Sequence, residues 1–376
     1  MHIFIIESAI SMTHKRNLTI DLLKVFACLL VIACHSNIFS DITPSQVTWR
    51  VFFGDGVTYF FILAGFFLYK KSFSKTLLHS LSHIALPAFF FTLFAWIFSD
   101  WIFHQSSFLF CLKNSFSVVI PMCKSLIHLS PGADLANHLW FVFSYLFLIL
   151  LIPLTRQICF HPKLRRLALV VGFLLILCHE FSLFYRNMSF QKYDLILTYY
   201  AYPVYFALCG YAIYQYLPQI KNNFRLRLLC PLLGIGLETI RCILQYRALC
   251  LNPTNNFYMG WNTSFSLIIT ICVILFVLSF DLSDGWLAKV ALLGPYTFGI
   301  YLLHIPVLCF LQHHSILPIF NSWFPLAAQM SFIQQFLYIS IVTLVIFGIS
   351  LAFTFFIIKT KTVIKKSIDK CYFFKK

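Results

Sequence analysis

The stretch DLLKVFACLLVIACH, residues 21–35, is apolar enough to open a membrane span, yet Asp21 and Lys24 stand at its start and His35 near its end. Each such group costs about 2.5–3.5 kcal/mol at the centre of a span, so it normally faces a protein interior or a watery cavity. Lys24 and His35 are separated by about 16 Å along a helix axis and point within roughly 20° of one another, with Asp21 about 60° from Lys24. The face Asp21–Lys24–Cys28–His35 therefore forms a polar thread through most of a bilayer. Two readings are open at this point. In one, Lys24 reaches the headgroups, Asp21 pairs with it and His35 bonds a neighbouring helix. In the other, the face lines a tunnel in which His35 does proton chemistry near neutral pH.

The rest of the chain supports a membrane setting. Of 376 residues, 60% are hydrophobic and 11% charged, and mean hydropathy is +0.84. A soluble domain is nearer half apolar and a quarter charged. The expected fold is all-α, a polytopic membrane helix bundle of about ten spans. These lie near residues 18–40, 51–70, 84–103, 138–158, 166–185, 198–217, 226–248, 262–281, 286–312 and 334–358. One membrane domain is expected over 1–376, with 1–15 a cytoplasmic segment and 359–376 a basic cytoplasmic tail. Met12, just before THKRNLTID, is a sensible translation start, and HIFIIESAIS lacks the features of a signal peptide.

The net charge of +16 argues against nucleic acid by its placement. Basic clusters (THKR, KKSFSK, RQICFHPKLRR, KNNFRLR and the tail) fall on alternate connections, which puts both termini in the cytoplasm of a bacterial inner membrane. Trp49, Trp101, Trp140, Trp261 and Trp323 fall at the outer ends, as an aromatic belt does. The cysteines lie mostly in apolar runs and show no metal-ligand spacing, so no metal is expected. Only Cys111, Cys123 and Cys250 are placed where a disulfide could form. No internal repeat of the transporter kind is visible.

Several motifs then occur in a telling order. RNLTIDLLKVFACLLVIACH (16–35) resembles the opening helix of the membrane-bound acyltransferase family 3, the surface-polysaccharide O-acyltransferases. Arg16, Asp21 and His35 match that pattern, and Lys24 stands for its second Arg. GDGVTYFFILAGFFLYKK (54–71) is similar to the second span, with Thr58 and Ala64 at usual Pro and Ser positions. HLWFVFSYLFLILLIPL (138–154), YPVYFALCGY (202–211) and GPYTFGIYLLH (294–304) are similar to later motifs, Thr297 standing for Ser. Before the Pro of span three the family often has Arg, where SHIALP offers His83.

The resemblance implies transfer of an acyl group, with acetyl expected, from cytoplasmic acyl-CoA (acetyl-CoA) to a hydroxyl of an envelope polysaccharide or lipid-linked sugar. It implies His35 as general base, or less readily as acyl carrier. Lys24 with Arg16 would meet the donor, Asp21 would fix Lys24, and His83 would stand at a donor-binding position. His138 and Trp140 are acceptor contacts or interface anchors. Tyr301 and His304 belong to the acceptor site or to a bundle hydrogen bond. Asp55 orients His35 or is a span-end charge. Glu238 and Arg241 are expected to neutralise each other at i,i+3, and His179–Glu180 to be a solvated helix end. The long connection 104–137 is expected to cover the outer mouth. A transporter of a glycan or acyl intermediate is the competing reading, and a membrane anchor or sensor with a decayed site is the third.

Overall fold

The computed structural model describes residues 16–36, 42–104, 107, 109, 134–185, 197–253, 257–314, 316–317 and 329–373. Met12, Cys111, Cys123, Trp323 and most of 104–137 lie outside these. Among the described residues there is helix, turn and loop but no strand. The helices are α1 (Leu18–Ser36), α2 (Pro44–Phe53), α3 (Gly56–Leu68), α4 (Phe73–Ser80), α5 (Leu86–His104), α6 (Trp140–Leu150), α7 (Ile152–Phe160), α8 (Pro162–Tyr185), α9 (Tyr202–Gln215), α10 (Phe224–Leu251), α11 (Ser264–Leu278), α12 (Trp286–Ala291), α13 (Thr297–His313) and α14 (Phe332–Phe373).

Each of the ten expected spans contains helix, but length and composition support fewer crossings. Among the described residues, six helical stretches are long and apolar enough to span, and a seventh arises if α6 and α7, bent by 63° to one another, count as one span. The expected ten is not reached by that measure. The bend has a local cause, since Pro153 sits at the start of α7 and cannot continue the hydrogen-bond ladder of α6. At 15 residues α11 is short, and α8 opens on Lys163, Arg165 and Arg166. The second span begins earlier than expected, at Pro44, and runs to Leu68 as the pair α2–α3. Thr43 caps it by accepting from the Gln46 amide, and Pro44 occupies the first turn, where a missing N–H costs nothing.

Helix α1 is the hub. It packs against α2, α3, α11, α12, α13 and α14. With lipid outside, apolar burial gives little drive to pair helices, so close backbone approach at small residues must supply the contact. The α3–α9 crossing shows this. A Cβ on Gly65 would lie 2.0 Å from the Ala207 carbonyl oxygen, and one on Gly210 would lie 1.8 Å from that of Ile62. Both clashes are with backbone, which no side-chain rotation relieves. Gly210→Val is therefore expected to lower Tm and the yield of monodisperse protein, at a cost of about 1–3 kcal/mol or more. Gly348→Ala, where a Cβ meets nothing within 4 Å, should change neither. Thermal unfolding of the purified variants checks this, and an unchanged Tm for Gly210→Val would refute the crossing.

Candidate functional site

Residues 21, 28 and 35 of α1 are each seven apart, a spacing that returns to nearly the same face. That face lies along α13 and the turn before it. At the first level, a Cβ on Gly294 would stand 2.6 Å from Asp21 Cβ, so only glycine admits the carboxylate here. One level up, the Cys28 thiol, 1% exposed, donates to the Thr297 carbonyl at 3.8 Å. At the third level, the His35 and His304 rings lie 5.3 Å apart. The expected shared face of α1 is present, and it is a packed seam closed at Cys28 rather than an open tunnel.

At the Asp21 end, one carboxylate serves two cations. Arg16 donates from Nε at 3.0 Å and Nη2 at 2.7 Å to Asp21 Oδ2, and Lys24 Nζ donates to Oδ1 at 3.1 Å. The expected role of Asp21 in fixing Lys24 is thus seen as geometry. Two cations against one anion leave this cluster net positive. Lys24 remains 30% exposed and lies over the Phe67 ring at 5.1 Å. A partly exposed, electropositive and pre-positioned cluster is suited to an anionic group.

At the other end, three imidazoles form a row. The His304 ring is 4.9 Å from His138, as well as 5.3 Å from His35. His304 Nδ1 donates to the Tyr301 carbonyl at 2.6 Å, so in the neutral ring Nε2 carries the lone pair. The Tyr301 hydroxyl donates to the His138 carbonyl, tying α13 to the segment before α6. His138 and His304 are buried, whereas His35 is exposed. Among the described residues, both His138 ring nitrogens and His304 Nε2 are buried without a hydrogen-bond partner. Burial of such atoms is costly unless a bound group or water meets them. The arrangement is a row of proton-accepting sites that opens at His35.

Trp140, two residues beyond His138, stacks on Trp261 with centroids 5.2 Å apart and meets Tyr199 edge-on. His83 is not part of either cluster. It stacks on His79 at 4.2 Å and shares a hydrogen bond with Ser82 at 2.7 Å, and among the described residues no such bond joins it to Asp21 or Lys24.

Two expectations need correction. Asp55 does not orient His35. Its two oxygens accept from Arg241 Nη1 at 2.8 and 2.7 Å. A fully buried guanidinium requires a close carboxylate, and Asp55 sits inside the α2–α3 stretch rather than at a span end. The expected i,i+3 ion pair of Arg241 with Glu238 is present at 3.5 Å, beside the closer pair that Arg241 makes with Asp55 across the bundle. Finally, His179–Glu180 is not a solvated end. His179 is buried against the Tyr202 hydroxyl, and Glu180 accepts from the Ser264 amide and from its hydroxyl at the start of α11.

The model of the acyltransferase domain of family 3 matches residues 17–355. The chain belongs to this acyltransferase family. No curated protein and no solved structure matches the chain. The acyltransferase is thus a multi-pass membrane protein, and the match encloses both polar ends of the seam.

Sequence reasoning missed Gly294 as the floor under Asp21 and Arg241 as the partner of Asp55. A clue to the second existed, because an intramembrane arginine calls for a close anion. Removing one partner of this buried pair should destabilise the acyltransferase by about 3–5 kcal/mol. Arg241→Met and Asp55→Asn are each expected to lower Tm sharply, and the double variant to lose less than their sum. Strict additivity in thermal unfolding would show that the two side chains do not interact.

Proposed function

We propose that the protein is an integral membrane O-acyltransferase, specifically an O-acetyltransferase. It moves an acetyl group from cytoplasmic acetyl-CoA to a hydroxyl of an envelope polysaccharide or glycolipid, with both chain termini in the cytoplasm of the inner membrane. The observation that carries this reading is the seam itself. One face of α1 holds a net-positive cluster at one end and, at the other, an exposed imidazole in contact with the buried His304 ring, which in turn meets His138.

In this reading Lys24 and Arg16 hold anionic groups of the donor, and Asp21 fixes both cations. A ring nitrogen of His35 takes the acceptor's hydroxyl proton as the oxygen attacks the thioester carbonyl. The C–S bond then breaks, and the thiolate leaving group recovers a proton from the imidazolium, so charge and atoms balance. His304 Nε2 and one His138 nitrogen accept hydrogen bonds from the acceptor's hydroxyls or from water beside them, and the other His138 nitrogen donates. Tyr301 fixes the His138 segment, and Trp140 lies at the acceptor side. His83, in the turn between α4 and α5, lies apart from both clusters in this reading.

A permeation path is less well supported. The seam is closed by packing at Cys28 and Thr297, which an exporter would have to open widely enough for a glycan, whereas group transfer needs passage only for a slender thioester arm.

Radiolabelled acetyl-CoA and an envelope glycan fraction provide the test. His35→Ala should abolish transfer without loss of protein from the membrane. Turnover retained in that variant would remove His35 from the role of base. In the same assay Lys24→Ala should raise the KM for acetyl-CoA by about ten-fold, the loss of one charge-assisted contact, while Lys24→Arg keeps activity. An unchanged KM would mean that Lys24 does not meet the donor.

A further inference from the structure

On the side of α1 away from the seam lies a large groove that the reaction above does not use. It measures about 800 Å³ and is walled by α1, α10 and α11, among them Leu23, Leu30, Gly234 and Ile269. Several of its lining residues also face outward, for example Ile235 at 68% and Ile243 at 50% exposure. It therefore opens sideways, where a membrane protein meets hydrocarbon. From Cys230 to Ile243 the α10 wall runs about 20 Å, the length of an extended lipid chain within one leaflet.

The groove has one polar region, formed by Thr48, Asp55, Glu238 and Thr239. Arg241 is occupied there. It bonds Asp55 with Nη1 and the carbonyls of Tyr258 and Gly260 with Nε and Nη2. Glu238 is left with long contacts, 3.5 Å to Arg241 and 3.9 Å to the Cys242 sulfur. A carboxyl group at the end of an apolar groove wants a hydrogen-bond donor. With two carboxylates against one guanidinium, the same region disfavours phosphate. This end also adjoins the outer turns of α1, since a Cβ on Gly56, next to Asp55, would touch Val31 and Ala27. Val31 is one turn below His35.

We propose that this groove binds the hydrocarbon anchor of a neutral glycolipid acceptor, with Glu238 accepting a hydrogen bond from a head-group hydroxyl so that the sugar is held at the level of the outer turns of α1. The proposal rests on the acyl-transfer reading and narrows its acceptor to a sugar on a lipid chain without phosphate at the linkage.

The test uses the full-length protein in phosphatidylcholine nanodiscs and a long-chain alkyl glucoside carrying a diazirine in its chain. Photolabelling should fall on the peptides containing residues 230–243 and 269–277, and excess unlabelled alkyl glucoside should compete it away. Gly234→Phe fills the groove, where a Cβ would meet only Cys272 at 3.7 Å, and should cut labelling by about ten-fold. Gly236→Phe, at a position open to 4 Å, adds the same bulk and should not. In turnover, Gly234→Phe should raise the KM for the glycolipid and leave transfer to a short soluble glycoside unchanged. Three results would overturn the proposal: labelling indifferent to Gly234→Phe, equal competition by a phosphate-linked or sugar-free lipid, or a crosslinked dimer through α10 that Gly234→Phe abolishes. Because labelling is read without turnover, absence of acetyl transfer to any acceptor would count against the enzyme reading, not against occupancy of the groove.

Discussion

The structure depends on one contact, the run of α1 along α13 and the turn before it. Polar groups in a membrane helix are tolerated only where another protein element meets them. Asp21, Cys28 and His35 are met at three successive levels by Gly294, Thr297 and His304. The seven-residue spacing on α1 is what allows one helix to satisfy all three. Shifting α1 by a single residue would rotate the carboxylate, thiol and imidazole by about 100° into the wrong neighbours. This contact fixes the register of the most connected helix in the bundle.

A second buried constraint acts on the opposite side of α1. Arg241 bonds Asp55 and at the same time the carbonyls of Tyr258 and Gly260. Thr58, three residues past Asp55, donates to the Trp261 carbonyl at 2.8 Å. The ion pair and this hydroxyl together anchor the turn that carries Trp261, whose ring stacks on Trp140. Asp55 therefore fixes the backbone position of this turn through Arg241, and among the described residues no hydrogen bond joins its carboxylate to His35.

Much of this was legible in the sequence, and the boundary has a physical cause. Periodicity within one helix is a local property, so the shared face of Asp21, Cys28 and His35 could be read from spacing alone. The pairing of Lys24 with Asp21 was legible for the same reason. Which helix would cover that face was not, because apolar helices carry little information about their neighbours. Arg241 illustrates the difference: its i,i+3 partner Glu238 was visible, whereas its stronger partner lies 186 residues away. Hydropathy also merged what geometry divides, joining α6 and α7 across a 63° bend. The motif GPYTFGIYLLH held the missing partners Gly294, Thr297 and His304, though nothing in its residues alone says what they touch.

The closed middle of the seam bears on how the two ends can work together. Lys24 and His35 are about 16 Å apart along the axis, and Cys28 between them is packed against α13. A continuous water column there would let protons and ions through, a leak that any cell maintaining a gradient must avoid. Packing at Cys28 prevents that leak along this line while leaving charge at one end and imidazole at the other. On the acyl-transfer reading, the donor must then be long and slender enough to bring its thioester past that level while its anionic part stays near Lys24. Such a division holds the charged part of the donor and the hydroxyl acceptor at opposite ends of one seam, with the thioester arm reaching past Cys28 between them.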